Sequence, residues 1–291
     1  MLWLLLVSLL WGLSFGLVKA EFAGLGPATL AAARLVIALP CFLPFLQPAF
    51  RRASRASLRL VAIGAVQYGL MYVALFHSFR WLEGHEVALL TVFTPVYVIG
   101  AHALLAGRRP PGWFWLAAVL AVAGALWIFQ PDTLPRKWPG ILFTQLANIC
   151  FAGGQIAWRQ LRLGPHAMRD RDGYALLYLG GVLAALPFAL FEQPLQGLAA
   201  LSTGQWGALL YLGAVASGLG FFLWNAGAAR VNPATLAVFN NLKIPVAILL
   251  AIAVFGEQAD PASLIPGLLV LLGALALAEA RWRRGERRGG G

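Results

Sequence analysis

The amino-acid sequence predicts an all-α membrane protein with ten transmembrane helices, arranged as two inverted five-helix repeats with both termini in the cytoplasm. Three observations predict this fold. Of the 291 residues, 60% are hydrophobic and 11% are charged, whereas soluble domains carry ~25% charged residues. Ten apolar stretches are long enough to cross a bilayer as helices. The two halves of the chain also share short motifs at one constant offset.

The predicted spans are apolar runs of roughly 17–25 residues, the length that crosses ~30 Å of hydrocarbon. In chain order they lie at 2–20, 27–47, 58–82, 86–106, 113–130, 139–158, 173–191, 205–229, 233–256 and 262–279. The first run has no basic segment before it and nine spans after it, so we interpret it as a transmembrane helix and not as a cleaved signal peptide. Both cysteines lie inside apolar runs, which indicates neither a disulfide framework nor a metal site.

Basic residues in the loops predict the orientation. Sixteen arginines lie on one side of the membrane, against two arginines and two lysines on the other. Because cytoplasmic loops carry the excess of Lys and Arg, both termini are predicted to be cytoplasmic. The net charge of +11 therefore reflects topology and does not indicate nucleic-acid binding. Residues 280–291 form a basic cytoplasmic tail that could contact anionic lipid.

The halves of the chain repeat each other. The motif Gly-Ala-Val-x-x-Gly-Leu begins at Gly64 and again at Gly213, 149 residues later, and two further glycine pairs have the same offset. We therefore predict one five-helix unit at 1–130 and a second at 139–279. An odd number of spans in each half inserts the second half upside down. Inverted repeats are typical of secondary transporters, whose binding site lies near the midplane between the repeats.

Polar side chains indicate which spans surround a wet cavity. Span 6 carries Gln145, Asn148 and Gln155 on one helical face. The other side chains that we assign to a substrate site are Trp11, Ser14, Gln67, Tyr72, Thr94, Trp224, Asn225, Asn240 and Lys243. Spans 1, 3, 4, 6, 8 and 9 are thus predicted to line the cavity, and spans 2, 5, 7 and 10 to face lipid or brace the others. Hydrogen bonding between helices explains any single Gln or Ser about equally well.

The strongest single signal is Lys243, about ten residues into its span and therefore ~15 Å deep in a ~30 Å core. A lysine at that depth costs at least ~2.5 kcal/mol unless water, a cavity or a partner relieves it. Asn240 and two alanines share its helical face, which suits a cavity wall. The alternative is a structural lysine, bound to carbonyls freed by Pro245 or paired with a distant acid.

Other ionisable residues in the spans give weaker signals. Arg34 lies seven residues into span 2 and could pair with Glu21 or Glu86, so we interpret it as a structural clamp. His77 and His102 lie near span ends and are interpreted as interfacial residues. No acid lies deep in any predicted span. The sequence shows no nucleophile–base pair, P-loop or metal cluster, so we predict no enzyme activity, no cofactor and no metal.

Four short motifs resemble the drug/metabolite transporter superfamily, and specifically its EamA-like ten-span group, over nearly the whole chain. They are Leu9-Leu10-Trp11-Gly12-Leu13-Ser14-Phe15, Ala32-Ala33-Arg34-Leu35, Phe93-Thr94-Pro95-Val96 and Phe255-Gly256-Glu257. The resemblance implies a multi-pass carrier in the inner membrane that moves small metabolites by alternating access, often as an exporter of amino acids or related compounds. It also implies a cavity built from spans 1, 3, 4, 6, 8 and 9. A lysine before the span-9 proline departs from most members, although the distantly similar organelle sugar-phosphate translocators use basic residues in that region for an anion.

We therefore predict a secondary transporter for a small organic anion or zwitterionic, amino-acid-like metabolite, with Lys243 supplying positive charge. Because burial favours the neutral form of an amine, protons are a candidate coupling partner. The lipid bilayer is the other expected partner, and nucleic acid is not one. The alternative function is a membrane scaffold that recruits a partner protein. The short predicted loops, of about a dozen residues at most, argue against a scaffold.

Overall fold

The computed structural model describes residues 2–47, 54–105, 134–163, 171–228, 230, 233–258 and 260–262, with shorter runs between 109 and 127 and between 264 and 280. Every regular element in these residues is a helix, and none of them forms a strand. The prediction of an all-α chain is therefore confirmed for the part of the chain that the structure describes.

Nine helices are complete enough to be named. They are α1 (Leu2–Phe22), α2 (Pro27–Ala38), α3 (Arg55–Ser78), α4 (84–105), α5 (Leu134–Leu163), α6 (Tyr174–Leu190), α7 (Pro194–Ala199), α8 (Thr203–Ala228) and α9 (Pro233–Ala253). Helices α1 to α4 correspond to predicted spans 1 to 4, and α5, α6, α8 and α9 to spans 6 to 9. The short α7 lies in the connection between α6 and α8. Predicted span 5 falls largely outside the described residues, and span 10 is described in part, with residues 264–270 helical.

Four of these helices are long and apolar enough to cross a membrane, namely Leu2–Phe22, Arg55–Ser78, Pro135–Arg162 and Thr203–Ala228. Three shorter apolar helices accompany them, at Pro27–Cys41, Tyr174–Leu190 and Phe239–Ala253. Large apolar side chains also cover the outside of the bundle, as on α6, where Leu183, Phe188 and Leu190 are exposed. Such an exterior is unfavourable in water and suits lipid.

The repeated glycine motif forms the same local structure in both halves. Residues 65–70 of α3 and 211–219 of α8 are π-helical, and each segment overlaps one copy of the motif. A Cβ atom on Gly64 would lie 1.8 Å from the Leu177 carbonyl oxygen, and one on Gly213 would lie 2.7 Å from the Ile37 side chain. The two glycines thus let α3 pack closely on α6 and α8 pack closely on α2.

One end of the bundle, where α1 ends and α4 begins, is closed by ionic contacts. We call it the outer end because the predicted orientation places it outside the cell. After α9, Gly256 adopts a φ of 67°, and the Glu257 N–H donates to the Ala251 carbonyl. This turn directs the Glu257 carboxylate onto the first backbone N–H groups of α4, those of Gly84 (2.9 Å) and His85 (3.0 Å). Glu257 therefore caps α4 from the opposite half of the chain.

The same carboxylate also contacts the His85 ring at 2.6 Å, and both side chains are more than 90% buried. Burial alone would raise the pKa of Glu257. The hydrogen bonds from His85 and Gly84 outweigh burial and hold that pKa below its ordinary value. Further ion pairs at this end join Lys19 to Glu83 and Lys137 to Glu86. The contacts of Glu257 thereby join the two halves of the chain at the outer end.

Candidate functional site

A cavity that is partly open to solvent lies among seven helices, six that carry the predicted site and one that does not. The space between its walls, counted together with its open part, is about 620 Å³. It is lined by Trp11, Ser14, Phe15, Val18, Arg34, Met71, Tyr72, Leu75, Phe76, Phe79, Thr91, Thr94, Ala147, Asn148, Phe151, Phe221 and Lys243. These residues come from α1, α2, α3, α4, α5, α8 and α9. Most are apolar, and a few polar groups and two cations converge among them.

Lys243 reaches this cavity from the middle of α9. Its side chain is buried, and its Nζ donates to the Asn240 side-chain oxygen at 3.1 Å, one helical turn earlier. The ammonium also lies 5.4 Å from the centre of the Trp11 ring and 5.9 Å from that of Phe151. These are cation–π distances, and the attraction strengthens when the cation is desolvated.

Neither structural alternative for Lys243 is observed among the described residues. No carboxylate pairs with it, and it makes no hydrogen bond to a carbonyl freed by Pro245. One neutral amide and two aromatic faces compensate the charge incompletely in an apolar setting. The ammonium therefore keeps donor capacity for a group inside the cavity.

The α4–α5 wall is built around a local distortion of α4. Pro95 has no N–H to donate, and the chain tightens into a 3₁₀ turn at Thr91–Phe93, so that the Thr94 N–H bonds to the Thr91 carbonyl. The Leu90 carbonyl is thereby released from the usual helical pattern, and the Asn148 amide of α5 donates to it at 3.0 Å. The proline of span 4 thus creates the acceptor that positions Asn148.

Asn148 is also the centre of a side-chain network. It accepts from the Thr94 hydroxyl at 3.2 Å and donates to Gln145 at 3.1 Å. Gln145 in turn accepts from the Tyr97 hydroxyl at 3.0 Å. Thr94 and Asn148 line the cavity, whereas Gln145 lies behind them and supports Asn148.

The opposite wall of the cavity is aromatic. Trp11 donates its indole N–H to the Ala216 carbonyl of α8 at 2.9 Å, and its ring lies 5.0 Å from that of Phe221. Phe221 in turn lies 5.8 Å from the ring of Tyr72. We call these three rings, Trp11, Phe221 and Tyr72, the aromatic wall. Ser14 lines the cavity near this wall, and its hydroxyl donates to the carbonyl of Leu10 in its own helix.

The second cation in the cavity is Arg34, and the structure corrects its predicted partners. Arg34 is 2% exposed, and it bonds to Ser217 (3.1 Å) and Tyr72 (3.2 Å), not to Glu21 or Glu86. Glu86 pairs with Lys137 instead. The expectation that span 2 faces only lipid or braces its neighbours is therefore wrong at this position. The depth of Arg34 without a nearby acid is the same signal that identified Lys243, and it could have identified this arginine.

Six predicted site residues line the cavity and six do not. Those in the lining are Trp11, Ser14, Tyr72, Thr94, Asn148 and Lys243. Two others, Asn240 and Gln145, contact lining residues without joining them. The remaining four are Gln67, Gln155, Trp224 and Asn225, and all four are buried.

These four residues lie against neighbouring helices and not against the cavity. A Cβ on Gly154 of α5 would lie 2.3 Å from the Gln67 side chain, so that α3 and α5 are in contact there. Both polar atoms of the Gln67 amide lack a hydrogen-bond partner in the described part of the chain. Trp224 packs behind Trp11 at 5.1 Å, and the Asn225 amide donates to Tyr68 at 3.1 Å. No hydrogen bond to Gln155 is formed by the described residues.

Comparison with known proteins relates this architecture to a family. The model of the EamA-like transporter family matches residues 1–130 and 138–278. The "Biotin transporter" of Salmonella typhimurium is 35% identical, over 94% of this chain and 90% of its own length. The "Probable biotin transporter" of Pseudomonas aeruginosa is 38% identical, over 94% and 96% of the two chains.

A solved crystal structure agrees at the level of fold. That protein is 18% identical in sequence, and the similarity covers 95% of each chain with a TM-score of 0.63. The family resemblance predicted from the short motifs is confirmed by the family match and the two relatives. The family and the relatives' names point to a transporter of small metabolites in the inner membrane and not to an enzyme. The chain belongs to the EamA-like transporter family.

Proposed function

We propose that this protein transports a small metabolite that carries a carboxylate, and that biotin is the first candidate. The observation that carries the proposal is the buried ammonium of Lys243, which has no acidic partner among the described residues that line the cavity. The relatives named as biotin transporters support it, since biotin is a monocarboxylate with an apolar body. Lys243 binds the carboxylate, and the aromatic wall contacts the apolar part of the substrate.

The Coulomb energy of an ion pair favours an anion at this position. A carboxylate ~4 Å from the ammonium gains ~4 kcal/mol at an effective dielectric constant of 20, before desolvation is subtracted. The ammonium is already buried, so much of its desolvation cost is borne by the folded protein and not by binding. The anion thus completes a charge pair for which the fold provides one member.

The same cavity argues against the amino-acid-like substrate that the sequence suggested. A zwitterion needs an acceptor for its own ammonium, and no aspartate or glutamate occurs among the described lining residues. Biotin has no ammonium group, and the relatives named as biotin transporters support it over an amino-acid-like substrate. We therefore propose an anion and not a zwitterion.

We further propose that transport occurs by alternating access between two inverted five-span halves. The similar π-helical segments of α3 and α8, each at a copy of the same motif, support this arrangement. The carboxylate cap that Glu257 places on α4 supports an outer closure formed between the halves. Protons remain the candidate coupling partner, since Lys243 can release one when the site empties.

The test is uptake of radiolabelled biotin by liposomes that contain the purified protein. Lys243→Met keeps the length of the side chain and removes its charge, so we expect uptake to fall at least tenfold, a change of about 1.4 kcal/mol. Lys243→Arg keeps a cation that does not release its proton. It should retain partial uptake and lose any response to a pH gradient.

Two outcomes would contradict the proposal. Uptake by Lys243→Met equal to that of the wild-type protein would return the lysine to a structural role. Failure of the folded wild-type protein to transport biotin would remove biotin as the substrate. Thermal unfolding of each variant in detergent serves as the control for correct folding.

A further inference from the structure

We propose that Arg34 is a second substrate-binding residue, which donates a hydrogen bond to a neutral urea-type or amide-type carbonyl at the end of the substrate remote from its carboxylate. The inference rests on the proposed function, because Lys243 takes the carboxylate. It assigns to the same cavity a requirement for two acceptor groups on one substrate, separated by an apolar segment.

The first observation is the environment of the guanidinium. Arg34 is almost fully buried, and it lines the cavity. Its hydrogen bonds within the described residues go to two neutral hydroxyl groups, those of Ser217 and Tyr72. No carboxylate pairs with it there. A buried cation that has only neutral partners retains attraction for a further acceptor.

The second observation is which donors are already engaged. Nε bonds to Ser217 and Nη2 to Tyr72, and these two nitrogens form one of the edges of the guanidinium that can bind a carboxylate in bidentate fashion. The Ser217 and Tyr72 hydroxyls also bond to each other at 2.9 Å, so that edge is occupied. Nη1 has no hydrogen-bond partner among the described residues. Because Lys243 takes the carboxylate of the proposed substrate, the acceptor left for Nη1 is a neutral carbonyl oxygen.

The third observation is the separation of the two cations along the aromatic wall. Lys243 lies over Trp11 and Phe151. Arg34 lies over Tyr72 at 4.7 Å. Phe221 contacts both Trp11 and Tyr72 and so stands between the two charged ends.

A substrate that spans these two positions has a defined chemical form. Its carboxylate faces Lys243, an apolar segment lies along Phe221, and a carbonyl acceptor faces Arg34. Biotin fits this description, because a saturated chain links its carboxylate to a fused ring that bears a ureido carbonyl. A simple alkyl carboxylate fills only the Lys243 end.

A competition experiment in liposomes separates the two contacts. Uptake of radiolabelled biotin is measured in the presence of one of three unlabelled competitors, and the concentration that halves uptake is compared among them. The competitors are biotin, pentanoate and the guanidino analogue of biotin, in which a cationic donor replaces the ureido oxygen. In the wild-type protein biotin should compete at least tenfold better than either of the others, the effect of about one hydrogen bond to a charged group. Arg34→Gln should reduce the preference for biotin over pentanoate by about tenfold. The control Arg80→Gln changes a half-exposed arginine at the outer end and should preserve the preference.

The outcomes distinguish the two proposals. If Arg34→Gln weakens binding of biotin and of pentanoate equally, Arg34 has a structural role and the inference is overturned. If Arg34→Gln fails to fold, wild-type protein that binds the guanidino analogue as tightly as biotin would overturn it equally. Both results leave the role of Lys243 intact. Loss of the proposed function is seen separately, as wild-type protein without biotin uptake or as full uptake by Lys243→Met.

Discussion

The side chain of Asn148 joins α5 to α4 at one wall of the cavity. It satisfies the Leu90 carbonyl that the Pro95 distortion releases, and it bonds to Thr94 and Gln145. Removal of the amide would break these three hydrogen bonds between buried or partly buried groups.

We therefore expect Asn148→Leu to lower both stability and transport. The loss should be about 0.6 kcal/mol for each of the three hydrogen bonds, roughly 2 kcal/mol in all. Gln155→Leu, two turns further along α5, is the matched control, because no described residue bonds to Gln155. Thermal unfolding in detergent and liposome uptake measure the pair. Equal behaviour of the two variants would contradict this account.

From the sequence one can predict those site residues whose charge is unusual deep inside a transmembrane span. Lys243 is such a residue, and its burial beside the cavity is as expected. The contacts of Arg34 could not be predicted, because its partners Ser217 and Tyr72 come from two distant helices and carry no charge. Gln67 and Asn225 are polar and buried as expected, but local sequence does not reveal which helix each faces.

At the scale of elements, glycines determine how closely helices approach. Gly64 and Gly180 place α3 and α6 in backbone contact, since a Cβ at either glycine would lie within 2 Å of a carbonyl oxygen on the other helix. Backbone atoms cannot move aside as a flexible side chain can. The close approach of the two helices therefore depends on the absence of a side chain.

We expect Gly64→Ala to force α3 away from α6 and to destabilise the fold by about 1–3 kcal/mol or more. Gly153→Ala on α5 is the control, because nothing lies within 4 Å of a Cβ there. Alanine is also the better helix former, so the control should be neutral or slightly stabilising. Folded yield and the thermal midpoint distinguish the variants. A stable Gly64→Ala protein would show that the two helices are not in backbone contact.

Proline explains why one predicted boundary, the end of span 2, was wrong. Predicted span 2 extends to residue 47, yet α2 ends at Ala38 and continues as short 3₁₀ turns at Leu39–Cys41 and Leu43–Phe45. Pro40 and Pro44 explain the change, since neither can donate to the preceding turn. The π-helical segments of α3 and α8 could not be predicted, because an extra residue in a helical turn is stabilised by tertiary packing and not by local propensity.

At the scale of the whole molecule, the cap formed by Glu257 on α4 joins the two halves at the outer end. Its stabilising effect depends on ionisation of the carboxylate. Because the pKa of Glu257 is lower in the folded protein than its ordinary value of 4.5, the ionised form stabilises the fold above about that pH. The stabilisation is lost as the pH falls through the lowered pKa.

We expect Glu257→Gln to lower the thermal midpoint by several degrees at pH 7, since hydrogen bonds to charged groups contribute ~1.5–3 kcal/mol each. The difference from wild-type protein should shrink as the pH falls below about 4.5. Glu21→Gln is the control, because Glu21 is exposed at the same end and its side chain forms no hydrogen bond or ion pair with the described residues. A difference in thermal midpoint between wild-type protein and Glu257→Gln that stays constant down to pH 3 would contradict the stabilising role of the ionised carboxylate.

Lys243 lies at the middle of helix α9, and Glu257 follows four residues after the helix ends at Ala253. At ~1.5 Å per residue, the helical part between them is roughly 15 Å long. In the proposed function, one end of this segment binds the anion and the other end carries the Glu257 cap on α4. By thermodynamic reciprocity, an effect of the anion on the cap implies an equal effect of the cap on the affinity for the anion. The proposed function therefore predicts that removal of the cap changes the affinity for the anion, although the cap does not touch the cavity.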